Sequence, residues 1–297
     1  MPALRFMLAV LCGLVCAAAQ AQPITVQDDS GRSITLSQPA QRIISLAPSL
    51  TELLFVAGAG RHIVGVSEYS DFPPEAQGIT VIGRYDMLDM EAIVGLGPDL
   101  IVAWRSGNPQ AAVQRLIDLG FNVYVAEPLT LMSIAQQIEN FSALAGTPRT
   151  GEAASRYFRE QLDILRTRYQ DQRKVSVFYQ VWNNPLISVG GNELINDVIT
   201  VCGGQNIFGE LGLAPKIGIE AVLARDPETI IASGMDIARP EWLDDWRRWP
   251  QLQAVANEHL YFIPPDLIQR HSLRVLSGAL QMCAYLERVR QADSKHP

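Results

Sequence analysis

Thr150–Gln172 reads TGEAASRYFREQLDILRTRYQDQ. Apolar residues recur at helical spacing, at Ala153, Tyr157, Leu162, Leu165 and Tyr169, and charged residues fill the gaps. The pattern predicts one amphipathic helix, the longest in the chain, standing where a two-domain protein would otherwise carry a flexible linker. What flanks it decides the fold, because strand-helix alternation on both sides would make it a rigid strut between two α/β lobes.

The N-terminal side alternates in that way. Ile24 to Leu36 carries a β-hairpin pattern around Asp29-Ser30-Gly31-Arg32. Arg42 to Leu46 reads as a buried strand, and Ser49 and Glu52 have capping-box spacing for a helix that runs to Gly58. Ile63–Val66, Leu100–Trp104 and Val123–Ala126 read as strands, with helices over Leu88–Gly95, Pro109–Leu119 and Ser133–Leu144. Beyond the strut, Lys174–Val181 opens a second series, and Trp249 to Ile263 reads as a helix followed by a buried strand. The halves echo each other: MEAIVGLGPDLIVA at 90–103 and IEAVLARDPETIIA at 219–232 both read as a short helix opened by Glu, a Pro-containing stop and a strand. The expected organisation is a signal peptide at 1–21, an N-terminal α/β lobe at 22–148, a connecting helix at 149–173 and a C-terminal α/β lobe at 174–297. Both lobes are expected to be Rossmann-like, with a cleft between them.

A chain of 297 residues has room for two such cores. Its net charge of -7 argues against nucleic acid and anionic membrane surfaces, both of which need clustered cations. Arg5, the apolar run Phe6–Val15 and the small residues of Ala19-Gln20-Ala21 form a secretory signal, with cleavage expected after Ala21. The mature protein is then exported to the periplasm, and a monomer is expected. Two cysteines remain in it, Cys202 and Cys283, which are either a disulfide or two buried thiols.

Enzyme signatures are missing: there is no GxSxG elbow, Walker loop, GxGxxG after a strand or HExxH, and the four histidines are scattered. No catalytic residue and no metal site is assigned. Aromatic residues stand at strand-to-loop junctions instead, at Tyr69, Tyr85 and Trp104. In open α/β sheets ligands bind outside the carboxyl ends of the strands, where a broad aromatic face suits a large flat guest. Trp242 and Trp246, at i,i+4 spacing among charges, read as one face of a short amphipathic segment.

Several segments carry a resemblance. IISLAPSLTE at 43–52, VGVSEYSDFPP at 64–74, PDLIVAWRSGN at 98–108, VCGGQNIF at 201–208 and AVLAR at 221–225 are similar to the periplasmic vitamin B12-binding proteins of ABC importers, a helical-strut class that also includes siderophore and haem receptors. The resemblance implies that Tyr69, Tyr85 and Trp104 contact a corrin from the first lobe, with Tyr85 standing where relatives have Trp. It places Asp266 and Arg270 in a ligand-contacting loop of the second lobe and implies the Cys202–Cys283 disulfide. Val181 stands where relatives have Phe and Ala214 where they have Trp, so Trp182 is the candidate substitute in the second lobe.

The resemblance also implies that Glu91 and Glu220, one per lobe, dock on arginines of the importer's membrane subunits. The blander reading is a favourable interaction of each carboxylate with the dipole at the first turn of its helix. Cobalamin or a related corrinoid is expected as transported ligand, with no catalytic cofactor. A ferric siderophore would call on Arg105 and Arg270, and haem on Tyr69 or His271 as axial ligand. A secreted enzyme is the distant alternative.

Overall fold

The computed structural model describes residues 22–235 and 238–293; the expected signal peptide lies outside them. Two four-stranded parallel sheets form the frame. In the first the spatial order is Ile63–Val66, Ile43–Ser45, Leu100–Trp104, Val123–Ala126. In the second it is Gly204–Asn206, Val175–Gln180, Thr229–Ala232, Leu260–Phe262. Numbered by sequence within each lobe, both orders are 2-1-3-4, so the echo between 90–103 and 219–232 is a true topological repeat. Its two strands, Leu100–Trp104 and Thr229–Ala232, hold the same third place. Leu260–Phe262, expected as a buried strand, is a half-exposed edge strand, unlike the corresponding edge strand Val123–Ala126, which is buried throughout. The predicted hairpin is present as Ile24–Gln27 paired with Ser33–Leu36.

The connecting helix spans Pro148–Tyr169, 22 residues. Its buried stripe is Gly151, Ser155, Phe158, Leu162, Leu165 and Tyr169, spaced alternately by four and three residues. Ala153 and Tyr157, predicted on that face from their apolarity, are exposed. The physical reason is a close helix crossing: a Cβ on Gly151 would lie 2.0 Å from Ser142 Oγ of the helix Leu131–Leu144. Small residues carry the contact there, and an apolar count passes over them.

One continuous hydrophobic core runs along the strut from Leu50, Leu53 and Phe141 to Val175, Ile199 and Leu286. Both lobes share it, so the strut is a packed spine rather than a bare rod. The outer faces of the sheets close separate, smaller cores. Cys202 and Cys283 form a disulfide between the end of the helix Leu194–Val201 and the helix Val275–Asp293. Closing a loop of 81 residues contributes about 4 kcal/mol on the chain-entropy account.

Candidate functional site

A groove of about 340 Å³ opens between the lobes at the carboxyl ends of both sheets, where the strand order reverses. Tyr69, Tyr85 and Trp104 line it together, facing Met235, Asp266, Gln269, Arg270 and His271 from the second lobe. The three aromatic residues predicted from their strand-end positions therefore share one surface.

Each ring is set by its own local device. Buried hydroxyls anchor the turn that carries Tyr69: Thr51 Oγ1 lies 2.9 Å from Ser45 Oγ and 3.0 Å from Ser70 Oγ, the residue directly after Tyr69. Tyr69 takes a φ of 64°, a region bulky residues seldom enter, and its side chain stands 68% exposed at the groove mouth. Tyr85 and Trp104 lean together with centroids 5.9 Å apart at 45°. Buried Asn108 ties them: its Oδ1 accepts from the Trp104 amide at 2.6 Å, and its Nδ2 donates to the Tyr85 carbonyl at 2.7 Å and the Leu46 carbonyl at 2.9 Å. Gly107 makes room for the indole, since a Cβ there would sit 1.8 Å from the ring.

Asp266 and Arg270 line the groove, but the guanidinium of Arg270 is already engaged. It meets Glu52 at 3.0 Å, Asp71 at 2.7 Å and Asp266 at 2.9 Å. Arg274 joins through Glu52 at 3.2 Å and Asp266 at 3.5 Å, and Ser272 Oγ donates to Glu52 Oε2 at 2.5 Å. Burial acts to raise the Asp71 carboxyl, but the Arg270 hydrogen bond and charge hold it below its ordinary range. Glu52 is only 2% exposed. It and Asp71 belong to the first lobe and the others to the second, so the network is an ionic clasp across the cleft.

Sequence reasoning assigned Glu52 to a capping box with Ser49. The helix instead starts at Pro48, with Ala47 as an N-cap that makes no side-chain bond, which leaves Glu52 free to reach the other lobe.

Trp182 lies on a small hairpin with Leu186–Ile187 and packs edge-on against Trp242 at 6.5 Å, while its indole donates to the Asn184 carbonyl at 3.0 Å. It does not line the groove, although its neighbour Val181 and Ala214 line the groove's inner extension. Trp246 is buried against Phe178 at 5.5 Å and bonds Gln180 at 2.7 Å, in keeping with an amphipathic segment.

That inner extension holds about 180 Å³ and shares Trp104, Gln269 and His271 with the groove. Glu127 and Glu193 also line it, and neither residue was singled out from the sequence. Glu127 directly follows the strand Val123–Ala126, so the strand-end rule that found Trp104 was the available signal. Burial, followed by the charge of Glu127, pushes the Glu193 carboxyl up. Burial pushes the His271 imidazole down to about 4.

Glu91 and Glu220 are exposed in the first turns of Met90–Gly95 and Ile219–Arg225, away from the residues that line the groove.

The comparisons with known proteins agree with this architecture. Residues 43–267 match the family described as periplasmic binding protein. The chain is 38% identical over 255 residues to a vitamin B12-binding protein of Vibrio campbellii, covering 85% of this chain and 92% of that one. A crystal structure of the periplasmic vitamin B12-binding protein of Vibrio cholerae aligns with a TM-score of 0.78 at 36% identity, over 85% of this chain and 98% of that one. The periplasmic haem-binding protein of Vibrio cholerae aligns with a TM-score of 0.72 at 18% identity, over 83% and 98%, a likeness of fold alone. The chain belongs to the periplasmic binding protein family of solute-binding proteins, in the company of its vitamin B12-binding members.

Proposed function

We propose that this protein captures cobalamin or a related corrinoid in the inter-lobe groove and delivers it to the membrane subunits of an ABC importer. The observation that carries the reading is the meeting of Tyr69, Tyr85 and Trp104 on one groove. Three rings at the mouth of a largely pre-formed cleft suit a broad, flat macrocycle. Relatives named as vitamin B12-binding proteins, at 33–38% identity, support the choice of guest.

A ferric siderophore fits less well, because the Arg270 guanidinium is taken up by three carboxylates. Asp266 and Arg270 serve here as a groove wall whose charges are internally paired, and Trp182 as support for the second lobe's rim.

In this reading the secreted chain is cleaved after Ala21, works as a periplasmic monomer with lobes at 22–148 and 174–297, and turns nothing over. Docking follows through Glu91 and Glu220, whose exposure in corresponding helices of the two lobes supports the role. The importer's ATPase supplies the energy. Calorimetric titration of the mature protein with cyanocobalamin, haem and a ferric siderophore tests the choice. Saturation at one equivalent by cyanocobalamin is expected, and saturation by haem alone would overturn it.

A further inference from the structure

The inner chamber has a one-signed wall. Its charged lining residues are Glu127 of the first lobe and Glu193 of the second, and no lysine or arginine is among the described residues that line it. Glu127 is fixed by the amide of Ser106 at 2.7 Å and its hydroxyl at 3.0 Å. Glu193 is fixed by the amide of Ile195 at 3.1 Å.

His271 stands where chamber and groove join. The residue is 9% exposed, its ring makes no hydrogen bond among the described residues, and its nitrogens are open to the cavity rather than sealed in the core. A buried imidazole left open on the cavity side alone is free to bond a guest there. A neutral imidazole offers one N–H donor and one nitrogen acceptor, and the carboxylates offer acceptors only. A primary carboxamide, with one carbonyl and two N–H groups, matches that set.

We infer that this chamber is a second subsite that admits an arm of the ligand ending in a carboxamide and turns away an arm ending in a carboxylate. The inference rests on the reading of the groove as a macrocycle site and deepens it. Corrinoids carry their peripheral arms as carboxamides, whereas porphyrins such as haem end theirs in carboxylates. Two carboxyl groups in a part-buried chamber oppose a third. The chamber thereby sorts two broad ring systems by the chemistry of their arms.

The test titrates the mature protein with cyanocobalamin and with each of its monocarboxylic acid derivatives, in which one peripheral amide is hydrolysed. One derivative is expected to bind about tenfold or more weakly, the others within about threefold. Glu193→Gln should weaken cyanocobalamin about threefold and shrink that one gap to less than about threefold. Glu127→Gln serves the same purpose if the first variant does not fold. Equal binding of all derivatives by the natural protein, or a gap that survives both substitutions, would overturn the subsite. A protein that ignores cyanocobalamin sinks the proposed function instead. The subsite is then decided by haem against its diamide: tighter binding of the diamide supports it, and equal or weaker binding overturns it.

Discussion

In the first lobe the aromatic residues nearest the strand ends, Tyr69, Tyr85 and Trp104, look into the groove. In the second, the large rings Phe178, within a strand, and Phe208 and Trp246, beyond strands, pack edge to face inside the core, at 5.8 and 5.5 Å. The second lobe meets the groove with Asp266, Gln269, Arg270 and His271 instead. Both lobes have the same 2-1-3-4 sheet, so the scaffold does not dictate the difference. Strand ends on a repeated frame can diverge freely because the core does not depend on what the loops beyond them carry. One lobe lines the groove with aromatic faces, the other with polar groups, and the clasp joins the two.

The clasp gives the largest expected effect. Glu52→Ala leaves Arg270 and Arg274 short of a partner in a part-buried site. Breaking a buried ion pair on one side costs about 3–5 kcal/mol, and Asp71 and Asp266 remain to soften it. Chemical denaturation should therefore show a loss near the low end of that range; a loss under about 1 kcal/mol would mean that the shared core alone holds the lobes.

Next come two tryptophans with opposite signatures. Trp246→Ala removes a buried ring at the core's margin and should cost no more than about 3 kcal/mol of stability, the low end for such truncations, while leaving ligand affinity close to natural. Trp104→Ala should weaken ligand binding by about 2 kcal/mol, roughly thirtyfold, with a smaller stability loss. Calorimetry and denaturation on both variants check this, and matching profiles would erase the contrast between the lobes.

Much of the frame was legible in the sequence. Ile63–Val66, Leu100–Trp104 and Val123–Ala126 are short apolar runs whose bounds agree with the observed strands, since buried parallel strands admit little else. The groove aromatics were legible because a strand-end position constrains where a side chain sits. Glu52 was not, because capping-box spacing is a local signal and its true partners lie 218 to 222 residues away. Gly151 and Ser155 were missed for a related reason: smallness signals packing only once the neighbouring helix is known. Arg270 was legible as a groove residue, but its three carboxylate partners come from distant parts of the chain and from its own helical turn. Trp182 illustrates the opposite error, an aromatic assigned to the site that finds Trp242 instead.

A smaller effect isolates the support of the platform. Gly107→Ala places a methyl group where the Trp104 ring now lies, and the neighbour is a rigid indole rather than a flexible chain end. The ring must swing away, disturbing its tilt against Tyr85 and the Asn108 tie. Ligand affinity should fall by about 1 kcal/mol, with a change in near-ultraviolet circular dichroism and little change in stability. An unchanged aromatic spectrum would show that the ring has room elsewhere.

The last contrast is between groove and rim. Glu91 and Glu220 are exposed and lie on elements that the groove does not use. Charges at such positions act on encounter and orientation far more than on a distant pocket, because solvent screens them beyond about 8–10 Å. Reversing both, Glu91→Lys with Glu220→Lys, should lower cellular uptake several-fold, by roughly 1 kcal/mol in docking, while cyanocobalamin affinity stays within about twofold. Each single reversal should give an intermediate loss, since the two positions lie on corresponding helices of different lobes. A fall in ligand affinity that matches the fall in uptake would tie these carboxylates to the groove and remove the division between a binding face and a delivery face.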